Sequence, residues 1–159
     1  MGDPRFQRKN YETPKKPWNT IRITEENTLL KKYGLKNKRE LWKTQAQLRK
    51  YRRVVRGLLG RDDEQSSREK KLVLSKLQKL ELLNAGSSIE DVLILNVENF
   101  LARRLQTLVH LNGLARTSKE ARQLIVHGHV SVNGRKVRVP SYMIAVGETI
   151  ALDKLSEGE

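Results

Sequence analysis

Apolar residues recur at helical spacing through most of the chain and alternate only near its end, so helices should dominate and strands should be confined to the last third. From Thr24, the run TEENTLLKKYG supplies a capping residue, acids in the first turn, lysines in the last and Gly34 as a stop, which predicts a short helix. A longer one is predicted from about Lys38 to Leu59, with Leu41, Leu48, Val55 and Leu59 on one face. Ser66 and Glu69 have capping-box spacing and predict a helix to about Leu83, with Val73, Leu77 and Leu80 inward and Asn84, Ala85 and Gly86 as its stop. Ser87 with Glu90 repeats the box for a short helix carrying Ile89, Val92 and Leu93. One helix is then expected from about Val97 to Leu111. It would bury Val97, Leu101, Leu105 and Leu108, with Arg103, Thr107 and His110 on another face and Arg104 at the border. Thr117 and Glu120 open the next, turning Ala121, Leu124 and Ile125 inward and Lys119, Arg122 and Gln123 outward.

The alternation of Val130, Ser131 and Val132 predicts a strand, and Asn133-Gly134 is the favoured two-residue type I′ turn. Arg135 to Val139 should return from it with Val137 and Val139 inward, Pro140 should end the pairing, and a last strand around Thr149 to Leu152 should follow a turn at Gly147. The fold class is therefore α+β: a helical N-terminal half packed against a small module of two helices and a small sheet. The expected divisions are an extended basic arm at 1–20, a helical region at 21–96, and the module with a C-terminal tail at 97–159. In the arm, prolines 4, 14 and 17 interrupt a basic stretch whose only large apolar groups are Phe6, Tyr11 and Trp18. It cannot bury enough surface to offset its ordering entropy and does not read as a signal or transit peptide.

Charge changes this picture from a fold to a partner. Lys and Arg outnumber Asp and Glu by 32 to 18, for a net charge of +14 and a pI near 10.2, which points to a polyanion, nucleic acid first. The excess lies in two blocks: residues 1–60 carry 17 basic and 5 acidic side chains, 103–138 carry 8 and 1, and the stretch between them is close to neutral. Along the helix from Lys38, one stripe holds Arg39, Lys43, Lys50 and Arg53 and the next holds Lys38, Arg49, Arg52 and Arg56, with Glu40 the only acid. A solvated face normally mixes signs to relieve repulsion, so these stripes predict phosphate contact. In the module, the free N–H groups at the start of the helix after Thr117, joined by Arg116, Ser118 and Lys119, make a second phosphate seat.

Other chemistry is poorly supported. Asp62, Asp63 and Glu64 read as a turn, because nothing is spaced to complete a metal or catalytic site. His127 and His129 have no cysteine or nearby carboxylate to work with, so no metal, cofactor or catalytic role is expected. The absence of cysteine fits a reducing compartment, and no apolar run is long enough to suggest a membrane.

Paired arginines on a helix followed by ARTSKEARQLIVHGHVSVNGRKV and PSY closely resemble the S-four RNA-binding domain. With YGLKNKRELW and LRKYRR, the likeness extends over most of the N-terminal half to the small-subunit ribosomal protein number four family, of archaeal type. Unlike some bacterial members, this chain has no N-terminal cysteine cluster, so helix packing alone must organise its first half. The resemblance implies a cytoplasmic, non-enzymatic constituent of the small ribosomal subunit, a primary binder of small-subunit ribosomal RNA that docks at a multi-helix junction early in assembly. It also implies neighbouring small-subunit proteins as partners, and a place near where messenger RNA enters, with effects on decoding accuracy. Positions matching the family motif, and so implied to touch RNA, are Arg103, Arg104, Arg116, Ser118, Lys119, Arg122, Gln123, His127, Asn133, Gly134, Arg135 and Lys136. An enzyme carrying this module as an appendage would need a catalytic domain, and no nucleotide-binding loop is present to supply one.

Overall fold

The computed structural model describes residues 9–61 and 63–152, so Phe6, Asp62 and the C-terminal tail lie outside the described residues. Helices α1 (Thr20–Tyr33), α2 (Lys38–Leu59), α3 (Glu64–Lys79), α4 (Asp91–Ile94), α5 (Val97–Ala102), α6 (Leu105–Leu111) and α7 (Ser118–His127) precede strands β1 (Val130–Val132), β2 (Arg135–Lys136) and β3 (Ile150–Leu152). The strands form one antiparallel sheet in the order β2-β1-β3, and the architecture is α+β.

Most helix ends follow from caps close in sequence. Helix α1 starts four residues before Thr24, because Asn19 is extended and its Oδ1 accepts the Arg22 N–H at 3.4 Å; the Thr24 hydroxyl, inside the helix, donates back to the Ile21 carbonyl. Helix α2 has the expected bounds and is capped by Asn37. Its inner stripe ends on Leu58, with Leu59 exposed. Helix α3 begins before Ser66, which is buried in its first turn, and Asp63 takes the cap position. It stops at Leu80 rather than Leu83 because Glu81 is left-handed (φ 50°) and the Glu81 and Leu82 N–H groups return to Gln78 and Leu77, which tucks Leu82 onto buried Leu77. The box expected at Ser87 and Glu90 lies one residue later: Asp91 Oδ2 accepts the Ser88 N–H at 2.8 Å and opens a single turn, α4.

The largest correction concerns the helix expected from Val97 to Leu111, which is two helices. Arg104 is extended (ψ 143°) and bridges to Met143; the Leu105 and Gln106 N–H groups donate to the carbonyls of Tyr142 and Pro140, and Ile144 N–H donates to Arg103. Carbonyls from a segment nearly forty residues downstream thus take up the free donors of α6. Because that segment is needed at the break, the return strand is only Arg135–Lys136, and Val139, expected inward, is exposed. The hairpin turn is type I′ as expected, with Asn133 at φ 50° and Gly134 at φ 75°.

Among the described residues, three apolar clusters hold these elements. One fills the module with Leu105, Val109, Ala121, Ile125, Val130 and Ile144, with Val109 buried where Leu108 was expected. A second joins α2 to α5 through Leu48, Val55, Leu77, Val92 and Phe100, and a third links Tyr33, Leu35, Leu41 and Leu101. Met143 packs on the second while Ile144 belongs to the first, so adjacent residues tie the halves together. Residues 9–19 of the arm are non-helical and lie on α2: Tyr11 stacks on Trp42 at 6.1 Å, Arg39 sits over the Tyr11 ring, and Glu12 pairs with Arg49.

Candidate nucleic-acid interface

One carboxylate of α2 bridges two arginine-bearing segments of the module. Glu40, in the first turn of α2, binds Arg122 of α7 through Oε1 at 2.7 Å and Arg104 through Oε2 at 2.7 Å. Arg104 is buried at 4 % exposure, and Arg122 is only partly exposed. The outward orientation expected for Arg122 is therefore corrected: α7 turns Ala121 and Ile125 into its own core, and the next position faces α2. Burial alone would push the Glu40 carboxyl up, but the hydrogen bonds and charges of Arg122 and Arg104 outweigh it and hold the group below the usual carboxylate range.

Gln106 completes the junction. At 1 % exposure its Nε2 donates to the carbonyls of Gly34 and Ser118, both at 2.9 Å, and its Oε1 accepts Arg122 Nη1 at 3.2 Å. One amide thus binds the end of α1, the start of α7 and the ion cluster. Gly34 has φ 60°, and a Cβ there would stand 2.7 Å from that of Ser118. Only glycine permits both this conformation and this approach.

Holding α1 against α7 creates a groove. Its two lobes, about 510 and 550 Å³, share Gly34, Leu35 and Lys119 and are lined by Lys31, Lys36, Arg116, Arg122, Gln123 and His127, with no carboxylate in either wall among the described residues. Thr117 caps α7 by accepting the Glu120 N–H, as predicted, while Glu120 Oε2 takes the N–H of Arg116 at 2.7 Å, one residue before the cap. Lys119 and Arg116 are exposed beside it, as the phosphate seat requires.

The other predicted residues divide by what they touch. Arg39, Lys43, Arg49, Lys50, Arg53 and Arg56 are exposed along α2, although Glu12 pairs with Arg49. Arg52 is turned inward and donates to the Leu95 carbonyl at 2.7 Å, and Arg103 is held by Glu81 and the Ile144 carbonyl. Arg135 and Lys136 are exposed at the hairpin, where Asn133 Oδ1 accepts the Thr149 N–H at 2.9 Å and Gly134 completes the turn. The rings of His127 and His129 lie 6.2 Å apart, and no group of three or more metal-ligating side chains occurs among the described residues. The sequence reading missed Lys31 and Lys36 as groove cations and Gln106 as the junction amide. A signal existed for the first two, since both flank the Gly34 stop, but none for Gln106, whose partners are distant in sequence. No helix among the described residues is long and apolar enough to cross a membrane.

Residues 5–102 match the family described as the ribosomal protein S4/S9 N-terminal domain, and residues 103–150 match the S4 domain. The chain is 53% identical over 148 residues to the small ribosomal subunit protein uS4 of Methanothermobacter thermautotrophicus, which covers 93% of this chain and 86% of that protein. It is 48% identical over 153 residues to uS4 of Methanococcus vannielii (96% of this chain, 86% of that protein). To uS4 of Methanosphaera stadtmanae it is 46% identical over 154 residues (96% and 84%).

Proposed function

Since the chain belongs to the ribosomal protein S4 family, we propose that it is a structural constituent of the small ribosomal subunit that binds small-subunit ribosomal RNA through two basic surfaces. One surface is the α2 face with Lys43, Lys50, Arg53 and Arg56; the other is the groove between α1 and α7 with the neighbouring hairpin cations. The observation that carries this reading is the Glu40–Arg104–Arg122–Gln106 junction, which fixes one surface against the other. Phosphates supply the attraction, and the fixed spacing selects an RNA whose tertiary fold presents them in the matching arrangement. The protein then docks at a multi-helix junction, nucleates assembly, and supports decoding accuracy near the site where messenger RNA enters. Neighbouring small-subunit proteins are its other partners, its compartment is the cytoplasm, and its role is structural and not catalytic.

In this reading the arm (1–20), the helical region (21–96) and the module with its tail (97–159) are functional divisions. Helix α5 carries the module into the core of the first half through Phe100 and Leu101. Chemical footprinting of small-subunit ribosomal RNA tests the proposal. Protection should concentrate at one folded junction and disappear when Lys31, Lys36 and Lys119 are replaced by Glu. Protection scattered evenly over the RNA, or unaltered by those changes, would count against it.

A further inference from the structure

A cleft of about 340 Å³ opens between α2 and the segment 140–143, on the side of the junction reached through Lys43 and Gln47. We propose that it seats a single unstacked nucleotide of the bound RNA, a recognition point in which both halves take part; the proposal rests on the RNA-binding reading above.

Three observations converge on this occupant. Among the described residues the walls carry Lys43, Arg104 and Arg122 against Glu40 alone, so the cleft keeps a surplus of positive charge even with both arginines shared by that carboxylate. Arg104 is buried at 4 % exposure and already held by Glu40, so it is a fixed cation in the wall and costs no ordering entropy when an anion arrives. The remaining lining combines Met143 and Pro140 with the neutral polar Thr44, Gln47 and Ser141 over a Phe100 ring that is itself buried, and the volume lies in the range of roughly 300–1,000 Å³ typical of small-ligand sites. A nucleotide supplies both complements, a phosphate for the cations and a base whose face meets the Met143 thioether and whose edge meets the neutral polar side chains. A carboxylate side chain of a protein neighbour would use the cations only. RNA is further favoured because Lys43 continues into the exposed α2 cations and Arg122 also lines the α1–α7 groove. Since α2 forms one wall and the chain after β2 the other, occupation reports the relative placement of the halves.

Met143 and Met1 are the only methionines, so methyl-labelled methionine in the full chain gives one probe inside the cleft. On titration with transcribed small-subunit ribosomal RNA, the Met143 methyl signal should shift. Ser141→Trp, which fills the cleft from an exposed position, should weaken RNA binding about tenfold or more, the scale of one stacked base, while leaving thermal unfolding unchanged. RNA binding with a silent Met143, or wild-type affinity in the Ser141→Trp protein, overturns the cleft assignment and leaves the proposed function standing. A Met143 shift produced by a glutamate-rich peptide and not by RNA also overturns it, in favour of a protein neighbour. If the unmodified chain fails to bind the RNA at all, the proposed function itself is overturned.

Discussion

Glu40 is visible in the sequence as the lone acid of a basic helix, but its purpose is not, because Arg104 and Arg122 lie 64 and 82 residues away. Charge counting treats all three as surface residues, whereas the fold spends them on each other. Lys119, by contrast, is exposed where the local helix pattern puts it. Lys119→Ala should therefore weaken RNA binding with no change in unfolding, and Arg122→Ala should lower stability as well, by about 1–3 kcal/mol for a lost charge-assisted hydrogen bond. Coincident binding and denaturation curves for the two variants would contradict that split. The pH response follows from the depressed carboxyl of Glu40. A group whose folded pKa lies below its unfolded value stabilises the protein above about pH 4.3, and that contribution is lost as pH falls through the folded pKa. Glu40→Gln should be the less stable protein near neutrality, and the gap should close on acidification below about pH 4. A gap that is constant with pH would show that the carboxylate charge does not contribute.

Among the elements, those closed by neighbours in sequence were legible: α2 by its caps and apolar stripe, α7 by Thr117 and Glu120, the hairpin by Asn133-Gly134. The α5–α6 break was not, since Leu101 and Leu105 keep helical spacing across it and its cause, the carbonyls of Pro140 and Tyr142, belongs to a distant segment. The Gly34 stop was legible as a terminus and silent as a contact. Gly34→Ala should cost about 1–2 kcal/mol from the left-handed backbone alone, and the collision with Ser118 should add to this. Denaturant midpoints would measure the sum, and Ser118→Gly in the same chain should return the steric share. Equal losses with and without Ser118→Gly would mean the α1–α7 approach is looser than 2.7 Å implies.

At the scale of the molecule, two blocks of positive charge separated by a neutral stretch were readable from composition, and the fold explains the neutral part as the core that positions them. What composition could not show is that several motif arginines are structural. The surface left for phosphates is therefore narrower, concentrated on α2, the α1–α7 groove and the hairpin, and its strength should depend on the junction that orients these parts. The most direct test is the salt dependence of binding to small-subunit ribosomal RNA, for the intact chain and for one with Lys50, Arg53 and Arg56 changed to Glu. Contact with about six to ten phosphates predicts a steep fall in affinity between low and physiological salt, and the α2 variant should lose about one from the logarithmic slope for each phosphate contact removed. A slope unchanged in the variant would place all the phosphate contacts in the module and contradict a two-surface grip.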